Sequence, residues 1–213
     1  WRIREYTVFD TASRHDYYSD FNESHRSNRE IFEKVANKSY RPMTQLLKRL
    51  LDQHPDFKVS LSITGTLLEQ AEAWAPDVID AFRDLVKTGR VEIVSETYHH
   101  SLAFFFSRSE FEHQVELHRA KIRDLFGVET QVFRNTELSY DNNLARGADE
   151  NGFKGILSEG WDPVLGWRSP NYVYKPTNTE KIKLRMKNYR LSDDIAFRFS
   201  NRDWEAYPLH ADT

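Results

Sequence analysis

The chain has 213 residues, 39% hydrophobic and 14% aromatic, which suffices for one large domain or two small ones with a sizeable core and excludes global disorder. A net charge of −3 gives no electrostatic footing for nucleic acid; the lack of cysteine excludes disulfides and thiolate chemistry and fits a cytoplasmic protein. No apolar run approaches the roughly 18 residues of a membrane span, and "WRIREYTVFD" at the N-terminus lacks the apolar region of a signal peptide.

Residues 28–38 and 43–54 read as helices. In "MTQLLKRLLDQH", Leu46, Leu47, Leu50 and Leu51 recur at helical spacing, and Pro42 suits a first turn. "FKVSLSI" (57–63) alternates as a strand does. "GTLLEQAEAW" and "PDVIDAFRDLVKTG" are helical, with Pro76 near a start and Gly89 at a stop. "RVEIVSE" (90–96) is a second strand. Residues 107–127 carry the clearest helix, with Ser109 as the expected cap, Glu112 three residues on and Gly127 at the end. "TQVFRN" is a third strand, a helix spans roughly 142–151, and "KGILSE" (154–159) is a fourth strand. "EGWDPVLGWRSPNYVY" (159–174) reads as a loop, and "EKIKLRM" and "YRLSDD" as shorter strands.

Strands alternating with helices predict βαβ units and a mainly parallel sheet. The C-terminal ends of its strands share one side, where open α/β sheets and barrels place their chemistry. Acids stand at these ends: Glu96, Glu137, Glu159, and the Asp193/Asp194 pair. Two carboxylates flanking a glycosidic bond can cleave it, one attacking or activating water while the other protonates the leaving oxygen. Glu137 with one of the two aspartates suits this chemistry. Neighbours on a strand point to opposite faces, so only one of Asp193 and Asp194 is expected to take part. The aromatic stretch 159–174 offers ring faces for a sugar. His99 and His100 are adjacent, a poor spacing for one metal ion; orienting a carboxylate or a substrate hydroxyl suits them better.

"FRNTEL", "SETYHHSLA", "GTLLEQ", "GWRSPNYVY" and "LSDDIAFRFSNRDW" together resemble glycoside hydrolase family 57, in particular its α-amylase branch, over essentially the whole chain. The resemblance implies an incomplete (β/α)7 barrel and a retaining mechanism on α-1,4-glucans, with no metal and no cofactor. It implies Glu137 as nucleophile and an acid/base within "SDD", Asp194 in preference to Asp193. Glu96 and His100 then lie near the substrate, and Trp167 and Tyr172 are candidate subsite residues by residue type. Asn135 and Thr136 are expected to position Glu137 by hydrogen bonds. A retaining mechanism predicts Glu137 and Asp194 carboxyl groups about 5–5.5 Å apart.

The family's His-Gln-Pro motif is missing at the N-terminal side and its last motif at the C-terminal side. Residues 1–213 are therefore expected to be one partial catalytic barrel without its first strand and C-terminal portion. Unpaired strand edges and uncovered apolar faces would make such a piece poorly soluble and weakly active by itself. The expected partner is an α-glucan oligo- or polysaccharide, with neither nucleic acid nor membrane. Three other functions fit the residues: a 4-α-glucanotransferase or branching enzyme of the same family, a metal-dependent polysaccharide deacetylase, and a non-catalytic glucan binder.

Overall fold

The computed structural model of the chain describes residues 27–210, so the N-terminal stretch read as lacking a signal peptide lies outside the described residues. The described residues divide into two compact units: 27–101 with 112–129, and 102–111 with 130–210.

The first unit opens with helix α1 (Asn28–Val35), which passes through a π turn (Ala36–Tyr40) into α2 (Arg41–Gln53). Sequence reasoning separates the two helices at Pro42; the structure joins them. Proline has no N–H and its ring crowds the carbonyl four residues back, and the wider π turn ahead of it lets the helix continue. Ser27 caps α1 through a reciprocal bond pair with Glu30. Strand β1 (Val59–Ser62) leads to α3 (Gly65–Trp74) and α4 (Pro76–Val86), and β2 (Val91–Val94) returns parallel to β1, with Val59 beside Val91 and Ser62 beside Val94. The helices bury Phe32, Leu51, Leu68, Val78, Phe82 and Leu85 in one cluster that includes Ile93 of β2. Helix α5 (Arg108–Phe126) contributes its first residues to the second unit and the remainder to the first. Its cap is Ser107, whose Oγ accepts the Glu110 N–H at 3.3 Å, rather than the expected Ser109. Both serines have an acid three residues on, so the pattern does not discriminate between them.

The second unit is a four-stranded sheet in the order β3 (Val132–Arg134), β4 (Gly155–Glu159), β6 (Lys183–Lys187), β5 (Val173–Tyr174). The first three strands are mutually parallel, and the edge strand β5 is antiparallel. Helix α6 (Asn142–Glu150), capped by Asp141, crosses from β3 to β4. Phe111, Phe133 and Phe153 meet ring to ring in its core. The stretch read as a loop at 159–174 holds a short helix α7 (Asp162–Leu165) as well as β5.

"YRLSDD" is not a strand. Strand β6 stops at Lys187, and Asn188 accepts the Leu191 N–H at 3.2 Å, capping helix α8 (Tyr189–Asp193). A π turn (Asp194–Arg198) follows. Among the described residues, no helix is long and apolar enough to cross a membrane.

Candidate active site

In the second unit, the β3 end is a strained turn. Glu137 and Leu138 both take left-handed backbone conformations, with φ of 56° and 55°. Neither is glycine, so the surroundings must hold the turn against a steric cost. Buried Asn135 clamps it: its Nδ2 donates to the Ser139 carbonyl at 3.3 Å, and its carbonyl accepts the Leu138 N–H at 3.0 Å. Asn135 thus acts on the turn's backbone. The turn leaves the Glu137 side chain exposed, and it opens into a cavity of about 370 Å³.

Glu159, Trp161, Tyr140, Leu165 and Met186 also line that cavity. Trp161 is 61% exposed and immediately precedes α7. Strand β4 ends on Glu159 beside Lys187 of β6, its register partner. Glu159 Oε1 accepts the Gly160 N–H at 3.2 Å, and Lys187 Nζ lies 3.5 Å from Glu159 Oε2. The same Nζ is 3.8 Å from Asp193 Oδ1. Asp194 pairs instead with Arg198, four residues on. The two aspartates end a helix, where successive side chains diverge by about 100°, not 180° as on a strand. Neither is among the side chains lining the Glu137 cavity. Asp193 is tied to the cavity's edge through Lys187.

Trp167 is 91% exposed and Tyr172 68%, and neither lines this cavity. Trp161 and Glu159 stand there instead. Glu159 was legible as a strand-end acid, and Trp161 as one of the loop aromatics; what selects them is the close approach of the β4 end to β6.

In the first unit, Glu96 is 1% exposed just past β2. A buried carboxylate requires donors. Ser62 Oγ donates to Oε1 at 2.6 Å, and His100 Nδ1 lies 3.2 Å from Oε2. His100 itself is left-handed (φ 55°), held in the loop by its N–H to the Thr97 carbonyl at 3.0 Å. His118 of α5 was not singled out in the sequence. It is fully buried, and its Nε2 donates to the Ile63 carbonyl at 2.8 Å. Burial pushes its pKa down, opposed by that carbonyl and by the Glu96 charge. The 4-3-4 spacing of Phe111, Val115, His118 and Ile122 marks it as core-facing on α5. Among the described residues, no group of three or more His, Asp or Glu side chains gathers as a metal site.

Parallel strands alternating with helices, with acids and an aromatic wall at their C-terminal ends, define a class: α/β folds of the barrel type, in which chemistry is placed at those ends. The chain belongs to glycosyl hydrolase family 57, whose family model matches residues 6–213. A Methanocaldococcus jannaschii protein named "Putative alpha-amylase" is 54% identical over 87% of this chain and 39% of its own length. The crystal structure of the 4-alpha-glucanotransferase from Thermococcus litoralis matches with a TM-score of 0.67 at 25% identity, over 79% of this chain and 26% of that one. A family 57 branching enzyme from Thermococcus kodakaraensis shares the fold, with a TM-score of 0.65 at 12% identity over 82% of this chain and 46% of that one. The fold class is the expected one, the incomplete (β/α)7 barrel of these enzymes with helices alternating with mainly parallel strands. The chain thus spans less than half the length of each of these relatives.

Proposed function

We propose that the full-length protein is a retaining, α-amylase-like glycoside hydrolase acting on α-1,4-glucans, and that residues 1–213 form part of its one catalytic domain. The observation that carries this is the exposed Glu137 on a strained strand-end turn, opening into a cavity walled by Trp161 and Tyr140. A nucleophile needs a rigid support and an open approach, and the Asn135 clamp supports the first. Glu137 attacks the anomeric carbon while a protonated aspartate delivers its proton to the leaving oxygen. The same aspartate then deprotonates the water that frees the sugar from Glu137. Asp194 takes the acid/base role in this reading, with Asp193 the alternative. Glu96, oriented by His100 and Ser62, binds substrate, and Trp167 and Tyr172 serve more distant sugar units.

The relationship to a 4-alpha-glucanotransferase supports a second reading, in which a sugar hydroxyl replaces water in the second half-reaction; the T. litoralis protein of that name is 27% identical over 70% of this chain. Products from maltoheptaose separate the two: hydrolysis raises reducing ends, whereas transfer yields longer and shorter chains at a constant number of ends. Glu137→Gln is expected to cut turnover by roughly a thousandfold or more. Nuclear magnetic resonance of the first product should show the α-anomer. Inverted product would rule out retention, and an active Glu137→Gln protein would rule out the nucleophile.

A further inference from the structure

We propose that Glu159 is a substrate-binding carboxylate of the Glu137 cavity, and that Lys187 is the positioning residue that holds it there and ties it to Asp193. The inference rests on the glucan-cleaving reading and adds to it a sugar-hydroxyl acceptor and its support.

Glu159 shares the cavity with Glu137, Trp161 and Tyr140, so a pyranose seated on the Trp161 face there has a carboxylate at its edge. Among the described residues, each Glu159 carboxylate oxygen has one partner, the Gly160 N–H at 3.2 Å and the Lys187 ammonium at 3.5 Å. A carboxylate oxygen accepts about two hydrogen bonds, which leaves a lone pair on each for a hydroxyl. Paired hydroxyl-to-carboxylate bonds suit the vicinal diol of a glucose unit.

The arrangement is built into the sheet. Glu159 and Lys187 are register partners at the C-terminal ends of parallel strands. Their backbones converge so closely there that a Cβ on Gly160 would lie 2.2 Å from the Lys187 carbonyl oxygen. Lys187 is thereby placed between two acids, 3.5 Å from Glu159 Oε2 and 3.8 Å from Asp193 Oδ1. Its second contact, 3.8 Å to Asp193, joins the cavity edge to the end of α8, next to Asp194.

The test is calorimetric binding of maltoheptaose, with steady-state hydrolysis alongside, in the full-length protein and its Glu159→Gln, Lys187→Met and Lys187→Arg variants. Glu159→Gln is isosteric and should fold. It is expected to weaken binding and raise KM about tenfold, the scale of hydrogen bonds to a charged group, with kcat nearly unchanged. Lys187→Met should follow it, and Lys187→Arg should restore most of the affinity, which a merely space-filling role would not require. Unchanged affinity in Glu159→Gln overturns the proposal, as does a loss confined to kcat. Hydrolysis that survives Glu137→Gln would remove the nucleophile reading instead, and the binding series would still decide the role of Glu159.

Discussion

Glu137 shows how a single residue can be set against its own backbone preference. A left-handed conformation costs a non-glycine residue of the order of 1 kcal/mol, and here two such residues follow each other. Replacing Glu137 by glycine removes that cost. The Glu137→Gly protein is expected to be more stable by about 1 kcal/mol, read as a higher urea midpoint, and inactive on glucans. Glutamine keeps the Cβ and the strain, so Glu137→Gln should leave the midpoint where it is. A glycine variant less stable than wild type would mean that contacts of the Glu137 side chain outweigh the strain. Glu96 is a different case: its backbone is ordinary, and burial makes the demand that Ser62 and His100 meet.

At the scale of elements, the close approach of β4 and β6 positions the cavity. Gly160 is needed at the end of β4 because any Cβ there would meet the Lys187 carbonyl at 2.2 Å and Pro170 at 3.0 Å. Neither neighbour is the free end of a flexible side chain, so Gly160→Ala must move backbone. It is expected to cost about 2–3 kcal/mol, and to weaken glucan binding by moving Glu159 away from Lys187. Gly155, at the other end of the same strand, is the control. A Cβ there would touch Val132 at 3.4 Å, so Gly155→Ala should change stability by less than about 1 kcal/mol, read from the denaturation midpoint. Equal midpoints for the two variants would refute the close-approach argument. Helix α8 shows how an element can be misread. "YRLSDD" carries the alternation of a strand, but Asn188 just ahead of it caps a helix, and that local cap outweighed the pattern.

Across the whole molecule, the shifted groups predict a two-stage response to acid. Burial lowers the His118 pKa below its unfolded value of about 6.5. Below that pH the unfolded chain takes up a proton that the folded chain refuses, so stability falls as pH drops from about 6.5 toward the folded pKa. Asp77 is held low by the Arg41 guanidinium, and Asp149 by the backbone N–H groups of Glu180, Ile182 and Lys181. Their stabilisation is present above about pH 4 and is lost as pH falls through their lowered pKa values. Urea midpoints taken from pH 8 to pH 3 should therefore decline first near 6.5 and again below 4. The first decline should vanish in His118→Gln while the second remains. A wild-type midpoint that is flat between pH 7 and pH 5 would show that His118 is not held neutral.

The sequence by itself determined the alternation of helices and strands, the acids at the strand ends and the family. These are local properties: apolar period, capping residues and short motifs survive without knowledge of what packs against them. It also placed Glu137 at a strand end, because "VFRN" ends its strand in the turn residues that follow. Tertiary structure alone decided which acids meet. The register of β4 on β6 sets Glu159 beside Lys187, and Lys187 beside Asp193, although 28 residues separate Glu159 from Lys187 along the chain. It likewise put Trp161 rather than Trp167 in the cavity wall. Spacing along one strand or helix cannot encode such pairings, because they depend on how two strands align and how closely their backbones approach.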